Sequence, residues 1–130
     1  MDLVECTSDR AVMNFTAWEL HLILAATGWV LDQLGTGRYG RSELHSIMGI
    51  WMEDAEASLA RFKRLDPDEP VELSALDVCA AHGFTGEVVL RYLPLGVIPS
   101  DAEFERLMSV APSEAKLLVA QLRDVVRAMR

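Results

Sequence analysis

The stretch that decides the fold is TAWELHLILAATGWVLDQL, residues 16–34 of a 130-residue chain. Thr16 and Glu19 have the spacing of a capping box, in which each side chain satisfies an otherwise unpaired backbone N–H of the first helical turn. A helix is therefore predicted from Thr16 to about Leu34. It is apolar nearly all round, through Trp18, Leu20, Leu22, Ile23, Leu24, Trp29, Val30 and Leu31. A helix of that kind has several faces covered by neighbours, so it is the expected spine of the core.

Before it, Ala11, Met13 and Phe15 alternate with Val12 and Asn14 over too few residues to separate a short strand from an arm. After it, GTGRYG, residues 35–40, supplies residues that tolerate positive φ, and Ser42 can cap the next helix. Leu44, Met48, Trp51, Ala55, Leu59 and Phe62 then recur at steps of three and four. That periodicity predicts one long amphipathic helix packed on the first. The two form a hairpin over residues 16–65, preceded by the arm of residues 1–15. DPDEP, residues 66–70, cannot continue a helix, because proline removes a donor and disfavours helix in the residue before it. Residues 66–71 are expected to be a connection.

Residues 72–130 suggest shorter helices. Ser74 with Asp77 opens one that Gly83 closes, and Thr85 caps another running toward Leu93. An apolar loop follows over residues 94–99. Ser100 with Glu103 caps a further helix, and Pro112 suits the first position of the last one. Ala115, Leu118, Val119, Leu122, Val125, Val126 and Met129 trace its inner face. With no strand pattern after residue 15, the expected class is all-α: a single-domain bundle of five or six helices with an N-terminal arm or short strand.

Composition narrows the function. Hydrophobic residues make up 51% of the chain, enough for a core, while 20 acids against 12 bases leave a formal charge of -8. That balance argues against a general attraction to nucleic acid or anionic lipid. Cys6 and Cys79 stand far apart in no CxxC pair, as in a protein with reduced thiols. Residues 20–31 are free of formal charge over only 12 positions, short of the roughly 20 apolar residues of a membrane span. Asp2, Glu5 and Asp9 lie where a signal peptide would carry positive charge. A cytoplasmic location is expected.

Catalytic and cofactor patterns fail their context tests. Glu19 with His21, and Glu43 with His45, are two apart on helices and point to different faces, so neither pair chelates a metal. Gly35, Gly37 and Gly40 match GxGxxG but follow a helix instead of a strand. Arg38 and Arg41, near the start of the next helix, are candidate anion-binding residues. SEAK, residues 113–116, has the SxxK spacing but suits a helix start. No catalytic residue, metal or cofactor is assigned. Trp18, Trp29 and Trp51 would line the pocket of a ligand-binding bundle, if one existed.

Charge is unevenly distributed: residues 1–111 hold 18 acids and eight bases, and residues 112–130 hold two and four. The leading expectation is a protein-binding module of inhibitor, immunity or adaptor type, steered electrostatically to a basic protein partner. Its candidate partner-binding residues are Glu53, Asp54, Glu56, Asp66, Asp68, Glu69 and Glu72. The alternative is a helix-turn-helix regulator using residues 74–93, although Glu87 against Arg91 and the acids nearby oppose DNA. The number of apolar faces is also compatible with a homodimer.

Overall fold

The computed structural model describes residues 1–35, 41–67 and 69–130. Six α-helices and a three-stranded antiparallel sheet occur among them, with strands β1 (Asp2–Cys6), β2 (Arg10–Asn14) and β3 (Val71–Ser74) in the order β1-β2-β3. The class is thus mostly helical with a small sheet, and the arm-or-strand alternative resolves to strands.

The sheet has a physical cause that four-residue windows conceal. Ala11 pairs with Leu73 and Met13 with Val71, and all four are buried. Side chains in a strand alternate between faces, so these residues build one apolar face while Val12 and Glu72 point away. β3 corrects the expectation of no strand beyond residue 15 and takes Val71 out of the expected connection. β1 covers the other edge of β2, with an irregularity in register between Leu3 and Glu5.

α1 (Ala17–Gly35) begins as its capping box requires. Glu19 N donates to Thr16 Oγ1 at 3.4 Å, and Thr16 N donates back to Glu19 Oε1 at 2.9 Å. The Met1 amino group donates to Glu19 Oε2, also at 2.9 Å, so the buried carboxylate is satisfied on both oxygens.

The long second helix is not formed. α2 (Arg41–Met48) and α3 (Met52–Phe62) are separated by Gly49, whose φ of +70° ends α2 as a residue without Cβ can. Met48 and Trp51 are three apart, so the break left the periodicity intact. Its effect is on burial: α3 buries Met52, Ala55, Ser58 and Phe62, whereas Trp51 is 53% exposed.

The expected turn at Gly83 is also absent. α4 (Ala75–Gly86) continues directly into a π-helical segment, Glu87–Tyr92, with Leu93 N donating to Val88 O at 3.1 Å. A Cβ on Gly83 would lie 2.7 Å from Met48 Cε, so this glycine serves helix packing and not chain reversal. Residues 75–92 form one rod, and the two-helix unit of a helix-turn-helix is not present there. This rod, more than α1, is the centre of the core. It packs against α1, α3, α6 and the sheet, and Val78, Ala80, Ala81, Phe84, Val88 and Val89 are fully buried.

α5 (Asp101–Met108) and α6 (Pro112–Ala128) match expectation. Ser100 Oγ accepts from Glu103 N at 3.1 Å, and Pro112 occupies the start of α6. α6 buries Ala115, Leu118, Val119, Leu122 and Val125.

One polar network ties α3 to α4. Asp77 is 3% exposed. Ser58 Oγ donates to its Oδ1 at 2.7 Å, and Arg61 donates from Nε to Oδ2 at 2.8 Å and from Nη2 to Oδ1 at 2.6 Å. These hydrogen bonds, and then the charge of Asp77, raise the Arg61 pKa further above its ordinary value. Ser74 caps α4 by accepting from Asp77 N at 3.1 Å. The carboxylate itself turns away from the cap and toward α3.

Removing Arg61, whose side chain is 47% exposed, leaves the buried Asp77 charge partly open to water, so the cost falls below that of breaking a fully buried pair, to about 1–2 kcal/mol. Arg61→Met is expected to destabilise the protein by that order in urea unfolding, and the Arg61→Met, Asp77→Leu double variant by less than the single. The fully buried Thr85 Oγ1 has no hydrogen-bond partner among the described residues. Thr85→Val should therefore raise stability by about 1 kcal/mol in the same assay, since it replaces an unpaired buried hydroxyl with a methyl group.

Candidate functional site

The candidate acids fall into two groups. Glu53 and Asp54 occupy the first turn of α3 and Glu56 the next, with Glu53 and Glu56 exposed and Asp54 half-buried. Acids in a first turn also complement the positive end of the helix dipole, a purely structural benefit. Asp66 and Glu69 lie exposed in the connection after α3, and Glu72 is exposed on β3, 3.6 Å from Arg10. Asp68 lies outside the described residues. Between the groups in sequence stand the exposed bases Arg61, Lys63 and Arg64. Asp77 belongs to neither group, being buried against Arg61.

The anion-binding pair is not brought into view. Arg38 lies outside the described residues, and Arg41 is the first residue of α2. None of the three tryptophans lines either of the two hollows described below. Trp18 is partly exposed, Trp29 meets Tyr92 edge-to-face with ring centroids 5.2 Å apart, and Trp51 stands out from the surface. Among the described residues, no three His, Cys, Asp or Glu side chains converge as a metal site, and no helix is long and apolar enough to cross a membrane.

Trp51 is the feature that periodicity concealed. Its indole stacks on the His45 imidazole, centroids 3.7 Å apart and planes 9° from parallel. Stacking fixes the ring against α2 although half of the residue faces solvent. Large exposed aromatics are enriched among residues that carry binding energy, and the signal for this one was the Gly49 break just before it.

Met48, three residues earlier, lines a cleft of about 310 Å³ together with His82, Gly83, Gly86, Glu87, Leu90 and Arg91. Met48, Leu90 and the two glycines form its apolar part, and His82 with Glu87 and Arg91, an ion pair at 3.4 Å, form the polar part. Leu90, in the π-helical segment, is 56% exposed. π-helical turns occur often at functional positions. A second hollow, lined by Asp9, Arg10, Arg61, Glu72, Ser74 and Asp77, is larger at about 760 Å³. Both of its bases are already paired: Arg10 with Glu72 and with Glu5 outside the hollow, and Arg61 with Asp77.

No protein-family model, curated protein or solved structure matches the chain.

His82 gives the cleft a measurable property. Burial foremost, and then the positive charge of Arg123, lower its pKa below the ordinary 6.5. Its NMR titration midpoint should fall below 6.5, and Arg123→Gln should raise it only in part, because burial remains. The unfolded chain then binds the proton more readily, so the His82 contribution to stability is present above about pH 6.5. It is lost as the pH falls toward the folded-state value.

Proposed function

We propose that this protein is a binding module that captures a basic protein partner through the acidic surface at the head of α3. The observation that carries this reading is the clustering of Glu53, Asp54 and Glu56 within five residues of the exposed, stacked Trp51. Charge steers encounter and excludes wrong partners, and a rigid aromatic group supplies contact area at low entropic cost. Asp66, Glu69 and Glu72 extend the field beyond the intervening bases. An inhibitor, an immunity-type protein and an adaptor all work in this way, and the net charge of -8 suits each of them. The continuous rod over residues 75–92 gives no support to a DNA-reading unit.

The test is capture from host lysate followed by mass spectrometry at two salt concentrations. A basic protein should be recovered at low ionic strength, lost progressively as salt rises, and recovered poorly by Glu53→Gln, Asp54→Asn, Glu56→Gln. Recovery that is indifferent both to salt and to these substitutions would sink the electrostatic reading.

A further inference from the structure

The structure assigns the cleft between the end of α2 and the π-helical segment a specific role: it receives an aliphatic side chain from a basic amphipathic helix of the partner. This inference rests on the proposed capture of a basic protein and names the place where that partner is anchored.

Its size comes first. A cavity of about 310 Å³ is at the lower limit of small-molecule sites, roughly 300 Å³, so it suits an inserted side chain better than a cofactor. Its surface comes next. Gly83 presents no side chain, which lets the Met48 thioether lie on α4 and form an apolar floor with Leu90. Methionine adapts readily to the shape of an incoming apolar group.

Trp51 and Leu90 supply the exposed apolar contacts. Trp51 follows Met48 by three positions, which at no more than about 3.6 Å per residue holds the two Cα atoms within about 11 Å. The start of α3 therefore lies near the end of α2, whose Met48 lines the cleft together with Leu90. His45 stacking limits the ordering that binding would otherwise have to impose on the Trp51 indole.

Charge identifies the occupant. Glu53, Asp54 and Glu56 lie within five residues of Trp51, and the charges lining the cleft itself, Glu87 and Arg91, are paired with each other, so an apolar anchor flanked by lysine or arginine is complementary to this corner. Its backbone conformation follows from the cleft walls. These come from α2, α4 and the π-helical segment, which offer no strand edge for an extended peptide to pair with. A helix presenting anchors three or four residues apart is the mode that needs side chains only.

The test uses two designed peptides of equal length and charge, one a helix of leucine and lysine, the other with serine in place of leucine. Each is titrated into the full chain by calorimetry at low salt, with amide shifts followed by NMR. The leucine peptide is expected to bind at least about tenfold more tightly, shifting the amides of Met48, Gly83, Gly86 and Leu90. Trp51→Ala and Leu90→Ser should each weaken it by about tenfold, while Leu117→Ser, at an exposed leucine on α6, should leave it unchanged. Circular dichroism checks that each variant is folded.

Equal affinity for both peptides, with Trp51→Ala and Leu90→Ser binding like the parent, would overturn the cleft but leave acidic capture standing. Failure of both peptides to bind would overturn both readings. A concentration-dependent dimer abolished by Trp51→Ala would show a second copy of this chain in the cleft, and that also overturns the assignment.

Discussion

A carboxylate that leaves water must find its partners inside the protein, and Asp77 finds them on a different helix. Ser58 and Arg61, three residues apart on α3, converge on it at 2.6 to 2.8 Å. That requirement fixes the axial register of α3 against α4, because sliding either helix would strand a buried charge. Hydrophobic burial alone is less particular, since apolar contact has no direction. The consequence runs to the surface. The head of α3, carrying Trp51 and its acids, is held relative to the rod that carries the cleft.

The starts of α1, α4, α5 and α6 were legible, whereas the ends of α2 and α4 were not. Thr16 with Glu19, Ser100 with Glu103, and Pro112 are signals confined to one turn, and local chemistry decides them. Helix lengths depended on contacts that no short window contains. Gly83 resembles a helix terminator, yet it sits inside a rod because Met48 fills the space its side chain would have occupied. Gly49 does terminate a helix, but the step of three from Met48 to Trp51 preserved an apparent stripe. β3 was hidden for a related reason: alternation over Val71 to Ser74 becomes informative only when Ala11 and Met13 lie opposite.

The site was legible in its charge and illegible in its shape. Counting acids picked out Glu53, Asp54 and Glu56, but it passed over the exposed bases Arg61, Lys63 and Arg64 that separate them in sequence from Asp66, Glu69 and Glu72. Trp51 read as core because its spacing suited one, and only the break at Gly49 turns it outward. The cleft joins residues more than 30 positions apart, Met48 with Leu90 and Arg91, and no feature of either segment alone announces the other.

The π-helical segment makes chain length, more than residue identity, the sensitive variable in this part of the protein. An added or deleted residue in a helix rotates everything beyond it by about 100°. Between Glu87 and Tyr92 such a change would carry Tyr92 away from Trp29 and turn Leu90 out of its present orientation. Variation among descendants of this sequence should therefore tolerate many exchanges on the outer side of this coil while preserving the number of residues in it.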